Sequence, residues 1–297
     1  MKNYYSIDVE YDVLVTKIHR WIELISFGGQ FSKDEVLDSV KSTLDLIHSE
    51  RDLLISKVFG KKKNLDASSY VVQIVDIFIL SLVIGLDLGL NTEDITILGI
   101  SAMFKDLGMD RIPPEILNKK EDLTVEEFIE IKNHPLYSAE VVKELGCSED
   151  IQSTIIDHHE RWDGKGYPKG KRGDDINYLS RIISVLDGYS AMREDRPYRE
   201  SITGYDAVKS IIGDNGQRYD PKILTVVVRS IGIYPVGSYV ALNDTSICQV
   251  LSANKKAPLK PIVKIIVNKD GTESKSNSII DISDNNRFFI VKSVFTI

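Results

Sequence analysis

Cysteine and histidine are scarce in this chain, and their scarcity limits the kinds of site that it can build. Only two cysteines, Cys147 and Cys248, occur among 297 residues, and they lie far apart with no CxxC spacing. This distribution argues against a disulfide framework and a cysteine-based zinc site, and it favours a reducing compartment. The five histidines are few enough that any cluster among them is informative.

The chain also lacks a long apolar run, an excess of basic residues and an export signal. Its most apolar stretch, residues 77–86, is about half of the roughly 20 residues that a membrane span requires, so a buried helix is predicted there. The formal net charge of −7 argues against binding of a nucleic-acid polymer. The first residues, MKNYYSIDVEYD, carry acids where a signal peptide would have basic residues. We therefore predict a cytoplasmic protein without a membrane span.

Helical periodicity dominates the first three quarters of the chain. Apolar residues recur at helical spacing from about residue 8 to residue 58, and Ser32 with Glu35 has the form of a capping box. A polar break at residues 60–69 separates this region from a second helical series. The helices predicted in that series are residues 71–88, 91–104, 124–133, 138–144, 148–160, 179–192, 203–214 and 221–230.

The residue pattern of the last part of the chain is different. After residue 235, short β-branched runs alternate with Gly, Asn-Asp and Asp-Gly turns, which is typical of an antiparallel sheet. We predict a mainly α fold with a small C-terminal antiparallel β appendage. The predicted division is a helical N-terminal region at residues 1–66, a helical core at residues 67–232 and a β-rich extension at residues 233–297.

Three of the five histidines lie in the predicted helical core. His134 occurs in IKNHPLYSAE, and His158 and His159 are adjacent in IIDHHERWDGKGYP. Adjacent side chains of one helix point about 100 degrees apart, so this pair reaches one metal ion only at the edge of the helix. Taken alone, the pair is more typical of a helix surface than of a ligand pair.

Several motifs taken in order resemble the HD-GYP family, metal-dependent phosphodiesterases that hydrolyse the bacterial second messenger cyclic di-GMP. They are Asp106, His134, HHERWDGKGYP, LDGYSAMREDRPYR and GQRYDP, and the resemblance covers about residues 70–231. HHERWDGKGYPKG is the most specific segment, because two potential metal ligands precede a Gly-Tyr-Pro loop. The resemblance implies an HD-domain helical bundle for residues 67–232.

The resemblance also implies metal ligands, and one half of the set is altered in this chain. In the family, two metals share the aspartate that corresponds to Asp106, but its His-Asp signature falls on Lys105-Asp106 and an earlier histidine falls on Gln73. Because glutamine is a poor substitute for imidazole and a protonated lysine has no lone pair, the first metal is expected to be absent. The later ligands of the family match His134, His158, His159 and Asp187.

The second metal keeps its implied ligands. Asp106 and the three later histidines form a set that suits Fe, Mn or Zn, so we expect one divalent ion or none. Lys105 and Asp106 then mark an altered catalytic position. Without the first cation, Asp106 and Asp187 would lie uncompensated, and burial of unpaired carboxylates is unfavourable. Lys105 either supplies the missing charge as a buried ion pair or extends to solvent.

The implied ligand contacts are better preserved than the metal ligands. Arg196 and Arg199 match family positions that contact the ligand, and guanidinium groups suit bidentate phosphate contacts. Ion pairs at the surface are the alternative interpretation of both arginines. The loop with Gly166, Tyr167 and Pro168 is expected to flank the pocket, where Tyr167 would stack on or hydrogen-bond a nucleotide.

Three functions are compatible with these residues. The favoured one is a catalytically impaired sensor or effector that binds cyclic di-GMP or a related dinucleotide, because Met109 also replaces a lysine that holds phosphate in the family. The enzymatic alternative is a slow one-metal phosphodiesterase acting on cyclic di-GMP or pGpG. The third is a scaffold with a vestigial pocket that contacts a signalling protein, such as a diguanylate cyclase, through the Gly-Tyr-Pro loop. An oligomer is compatible with all three.

Overall fold

Helices followed by a small sheet make up the part of the chain that the computed structural model describes, residues 4–60, 68–193, 202–214, 217–254, 256–276, 278–284 and 287–294. The helices are α1 (Tyr4–Ser26), α2 (Lys33–Phe59), α3 (Ser69–Asp87), α4 (Thr92–Phe104), α5 (Pro114–Leu117), α6 (Val125–Ile131), α7 (His134–Glu144), α8 (Glu149–Ile156), α9 (Tyr178–Arg193), α10 (Gly204–Gly213) and α11 (Pro221–Ile231). The strands are β1 (Tyr239–Leu242), β2 (Ile247–Ser252), β3 (Ile262–Val267), β4 (Ile279–Asp281) and β5 (Ile290–Val294). The predicted fold class is confirmed.

The most apolar stretch of the sequence forms α3, the central helix. Ser68 caps its N-terminus, since the Ser68 hydroxyl accepts a hydrogen bond from the backbone N–H of Val71 at 3.4 Å. The helix packs against α1, α2, α4, α9 and α11. Its length and composition would allow a membrane span, but 72% of the apolar window is buried inside the protein. This burial is the pattern of a core helix.

The two N-terminal helices share the hydrophobic core of α3. Trp21 of α1 is fully buried, and the hydroxyl of Tyr11 donates a hydrogen bond to Asp76 of α3 at 2.7 Å. Helix α2 begins at the predicted cap, where the Ser32 hydroxyl accepts a hydrogen bond from the backbone N–H of Glu35. The Glu35 carboxylate contacts α1 instead of the Ser32 backbone, so only one half of the predicted capping box forms.

The end of α9 is attached to the end of α2. Arg193, the last residue of α9, donates a hydrogen bond to the backbone carbonyl of Phe59 at 3.1 Å. Its guanidinium carbon also lies 4.8 Å from the centroid of the Phe59 ring. A cation is favourable there, because the carbonyl end of a helix carries partial negative charge. The N-terminal helices therefore contact the helix that contains Asp187.

The start of α7 differs from the prediction. The helix begins at His134 rather than at residue 138, and Pro135 occupies its first turn. Proline is favourable at that position, because the N–H that it lacks would have no partner within the helix. His134 is therefore the first helical residue, and its side chain is at the end of α7 rather than in a loop.

The end of α8 differs as well. The helix ends at Ile156 rather than at residue 160. The carboxylate of Asp157 accepts a hydrogen bond from the backbone N–H of Asn177 at 2.9 Å, which ties the end of the helix to a distant loop. His158 and His159 consequently lie in a turn, where two adjacent side chains can face the same point.

The C-terminal strands form one antiparallel sheet in the order β4-β3-β2-β1-β5. Alternate residues of β1 and β2 face a small apolar cluster that is distinct from the helical core. Cys248 is buried in this cluster and Cys147 belongs to the helical region, and both are free thiols. The sheet thus contributes a separate small core.

Candidate metal centre and adjoining cleft

Four potential ligands converge from separate elements at the start of α7. Asp106 follows α4, His134 begins α7, and His158 and His159 follow α8. Gly108 makes this approach possible, because a Cβ on Gly108 would lie 2.3 Å from the carbonyl oxygen of His134. Only glycine fits between the two backbones. The turn after α4 therefore lies directly against α7 and places Asp106 beside the imidazoles.

Two of the imidazoles are oriented by the backbone. Nδ1 of His134 donates a hydrogen bond to the carbonyl of Ile131 at 2.8 Å, and Nδ1 of His158 donates one to the carbonyl of Ile155 at 2.6 Å. In a neutral imidazole the other nitrogen, Nε2, then carries a lone pair. Such a second hydrogen bond is the usual way in which a protein orients a metal-binding histidine.

The free Nε2 lone pairs face the carboxylate of Asp106. Oδ1 of Asp106 lies 3.4 Å from Nε2 of His134 and 3.5 Å from Nε2 of His158. Both Nε2 atoms are buried, and the described part of the chain gives neither of them a hydrogen-bond partner. With His159, the ligand atoms of the four residues all lie within 4.8 Å of one another. Acceptor atoms that face each other without a proton need a cation between them, so this donor set fits a divalent metal ion.

The fifth implied ligand, Asp187, contacts a lysine instead. Nζ of Lys105 donates hydrogen bonds to Oδ2 of Asp106 and, at 2.7 Å, to Oδ1 of Asp187. The Lys105 side chain is only 2% exposed, so the solvent-exposed alternative is not the observed conformation. Asp106 therefore turns one oxygen to the imidazoles and the other to the ammonium of Lys105.

The charges around Lys105 are mutually stabilising. Burial alone would lower the pKa of Lys105, but the carboxylates of Asp106 and Asp187 outweigh it and raise the pKa above its ordinary value. Burial opposes ionisation of Asp106, yet the Lys105 ammonium holds the pKa of that carboxyl well below its usual range. Burial lowers the pKa of His158 and, more strongly, that of His159. The lowered pKa values of His158 and His159 favour the neutral form in which an imidazole can act as a metal ligand.

A cleft of about 650 Å³ opens beside this group. His159, Asp187 and Tyr167 line it, so it reaches the candidate metal centre. Its basic residues are Lys132, Arg161, Lys165 and Arg218. All four lie in motifs quoted above, but the sequence assigned them no role, because only the fold brings their side chains to one cleft. Asp187 and Asp214 also line the cleft, so these basic residues outnumber the acidic ones by two, and this excess of positive charge favours an anionic ligand.

The predicted Gly-Tyr-Pro loop flanks the cleft. The ring of Tyr167 lies against His159, with 4.8 Å between their centroids. The loop is attached to the buried Glu160, whose carboxylate accepts a hydrogen bond from the backbone N–H of Lys169 at 2.7 Å. A Cβ on Gly166 would lie 2.3 Å from the backbone nitrogen of Arg161. Close backbone packing therefore fixes this loop beside the histidines.

Gly166→Ala is expected to lower the free energy of unfolding by about 1–3 kcal/mol, because the added methyl group overlaps rigid backbone rather than a side chain that can move. The backbone displacement that relieves this overlap is also expected to weaken metal binding, because the crowded atoms include the carbonyl oxygen of His159. Urea denaturation and metal titration measure the two effects. Gly213→Ala is the matched control, because a Cβ there meets nothing within 4 Å. Equal stability of the two variants would contradict the close packing of the loop.

Some predicted site residues are not part of the described site. Arg196 and Arg199 lie outside the described residues. Gln73 of α3 and Met109 supply no ligand atom to the group of four. Sequence reasoning also missed Tyr70 of α3, whose pKa is raised by burial and by the negative charge of Asp106. In the sequence, Tyr70 is an ordinary aromatic residue at the start of an apolar helix, and nothing in the pattern indicates that it lies near Asp106.

The fold and the histidine group together define an HD domain. The HD domain family matches residues 48–223, which is more than half of the chain, and a KOW domain associated with HD domains matches residues 239–296. The chain therefore belongs to the HD-domain family. The membership that HHERWDGKGYP predicts is confirmed.

Several curated relatives of this chain are named as cyclic di-GMP phosphodiesterases. The cyclic di-GMP phosphodiesterase PdeB of Borreliella burgdorferi is 31% identical over 203 residues, covering 68% of this chain and 54% of the relative. A cyclic di-GMP phosphodiesterase of Pseudomonas aeruginosa is 34% identical over 171 residues, covering 56% of this chain and 40% of the relative. The chain thus spans about half of the length of the first relative and less than half of the length of the second.

A solved structure supports the fold. An HDG"Y"P protein from Bdellovibrio bacteriovorus aligns with a TM-score of 0.54 and 16% sequence identity, covering 75% of this chain and 70% of that chain. At this identity, the similarity shows a shared fold and not a shared activity.

Proposed function

We propose that this protein is a cyclic di-GMP-binding sensor or effector of the HD-GYP type that holds one divalent metal ion and turns over its ligand poorly. The names of its relatives support the ligand class, and the positive cleft supports an anionic ligand. The protein would act in the cytoplasm and report occupancy through its N-terminal helices or its C-terminal sheet. The division at residues 66/67 and 232/233 is part of this proposal.

The residues present fit one metal ion. Asp106, His134, His158 and His159 would hold it, because two of the imidazoles are oriented as lone-pair donors and all four ligand atoms are close together. Three imidazoles and one carboxylate suit Fe, Mn or Zn. When bound, the ion would supply Lewis acidity and neutralise charge on a phosphate oxygen.

The single observation that carries the proposal is the position of the Lys105 ammonium. It lies between oxygens of Asp106 and Asp187, and the resemblance assigns these two carboxylates to the first metal. A buried ammonium and a second divalent cation at the same oxygens would repel each other. Lys105 therefore restricts the centre to one ion, and two-metal clamping of attacking and leaving oxygens is lost.

A slow one-metal phosphodiesterase is the second candidate. The observation that favours it is that His159, one of the four potential ligands, lines the cleft. A phosphate group in the cleft could therefore approach the metal centre. Lys132 and Arg218 are placed to neutralise a phosphate, and Tyr167 would orient the nucleotide.

The expected result with cyclic di-GMP is binding with little turnover. Calorimetry is expected to show saturable binding, and hydrolysis in Mn²⁺ or Fe²⁺ is expected to be about 100-fold or more slower than that of the Borreliella burgdorferi relative, the size of effect expected when one transition-state stabiliser is lost. Chromatography of cyclic di-GMP and pGpG measures the turnover. Arg196→Ala is expected to weaken binding, and His158→Ala is expected to remove any residual hydrolysis.

The outcomes separate the three functions. Fast hydrolysis would contradict the sensor proposal and favour the enzyme. Neither binding nor hydrolysis would favour the scaffold, with the Gly-Tyr-Pro loop as the surface that contacts a protein such as a diguanylate cyclase. The double variant Gln73→His/Lys105→His restores the family's ligand types, so an increase in hydrolysis by this variant would support impairment through these positions.

A further inference from the structure

One wall of the cleft combines an exposed aromatic ring with a cation. Phe128 of α6 lines the cleft and is 49% exposed, so its ring is accessible from the cleft. Lys132 lies one helical turn further along, so the two side chains share a face. The Lys132 ammonium lies 4.3 Å from the centroid of the Phe128 ring.

The same ammonium also faces the Gly-Tyr-Pro loop. It lies 5.7 Å from the centroid of the Tyr167 ring, which also lines the cleft. Among the described residues, Lys132 forms no ion pair with a carboxylate. By contrast, Lys119, which lies between α5 and α6, is paired with Glu127 of α6. Lys132 is therefore held by two rings and keeps its charge available to an anion.

We propose that Phe128 and Lys132 form a nucleotide-binding wall in which the Phe128 ring stacks on a base and the Lys132 ammonium contacts the adjoining phosphate. This inference rests on the proposed function and specifies how the ligand would be recognised. An aromatic ring recognises a base through its flat face, and an ammonium beside it neutralises the backbone. The Phe128 exposure then serves the ligand, because stacking would remove the ring from water.

Such a wall would let a site with one metal ion bind a dinucleotide without the second ion. His159 lines the cleft from the turn after α8, and Phe128 lines it from α6. A dinucleotide carries both a phosphate for the metal centre and a base for the aromatic ring. Recognition by the base does not depend on the second metal.

The test compares two ligands in four variants. The first ligand is a phosphorothioate analogue of cyclic di-GMP that resists hydrolysis, and the second is ribose 5-phosphate, which has a sugar and a phosphate but no base. Phe128→Ala is expected to weaken binding of the analogue about tenfold or more, the size of a lost base–aromatic stack. It should leave ribose 5-phosphate binding unchanged. Phe128→Trp should retain binding of the analogue.

Two further variants complete the design. Lys132→Met is expected to weaken both ligands and to reduce the dependence of binding on salt, because one phosphate contact is lost. Ile129→Ala is the matched control, since Ile129 is an exposed apolar neighbour on α6 that does not line the cleft. It should bind both ligands as the wild type does.

The failures are distinguishable. If the wild type binds the analogue and Phe128→Ala binds it equally well, the proposal that Phe128 stacks on a base is wrong, and the proposed function is unaffected. An equal loss for both ligands in Phe128→Ala would also overturn base stacking. If the wild type fails to bind the analogue at all, the proposed function fails and this inference fails with it. Circular dichroism of each variant shows that the fold is intact.

Discussion

Lys105→Met is expected to lower the free energy of unfolding by about 3 kcal/mol in protein treated with EDTA. The substitution keeps the length of the side chain but removes the ammonium that contacts both Asp106 and Asp187. Two carboxylates would then lie close together with less compensation, and removal of one partner from a buried ion pair leaves an uncompensated charge. The carboxylates are 15% and 18% exposed, so the loss is expected at the low end for buried pairs.

Urea denaturation with and without Mn²⁺ measures this effect. A divalent cation between the same oxygens would replace the lost charge, so Mn²⁺ is expected to restore part of the stability of Lys105→Met. Lys119→Met is the matched control, because it removes a lysine from a more exposed pair with Glu127 and should change the stability by about 1 kcal/mol or less. Wild-type stability of Lys105→Met in EDTA would show that the buried ion pair contributes nothing.

His158→Ala is expected to abolish metal binding. His158 is fully buried, and its Nε2 has no partner other than the cation that the group of four would hold. Elemental analysis should find roughly one ion per wild-type chain and almost none in the variant. Bound metal should raise the free energy of unfolding of the wild type by about 4 kcal/mol when its concentration is a thousand times the Kd. The variant should not respond to metal.

His48→Ala provides the control for this experiment, because His48 is an exposed histidine of α2 outside the group of four. Its metal content and its response to EDTA should match the wild type. Two ions per wild-type chain would contradict the restriction that Lys105 imposes. Equal metal content in the wild type and His158→Ala would instead place the bound metal elsewhere.

Local patterns predicted the helices well and their ends less well. The predicted capping residue Ser32 marks a real helix start, because a cap depends on neighbours in the sequence. The end of α8 depends on a hydrogen bond between Asp157 and Asn177, twenty residues apart, and no local pattern encodes it. That error mattered, because it placed His158 and His159 on a helix rather than in a turn.

Only the site residues that belong to the family motifs could be predicted from the sequence. The grouping of Asp106 with the three histidines came from resemblance to a family rather than from the spacing of the residues. The hypothesis of an ion pair at Lys105 came from charge balance, and the observed contact joins residues 82 positions apart. Phe128 and Lys132 were not identified, although their spacing of four residues on a helix places them on one face. Only the fold shows that this face lines the cleft.

Two positive charges of different origin can neutralise the Asp106 carboxylate, namely the Lys105 ammonium and a metal ion bound by the histidines. A bound metal is exchanged with the surroundings, and its occupancy falls when the free ion becomes scarce. The Lys105 ammonium is covalently part of the chain, so no chelator or shortage can remove it. Oδ2 of Asp106 is consequently paired with a positive charge at any concentration of free metal. Only Oδ1, which faces the histidines, responds to the availability of metal.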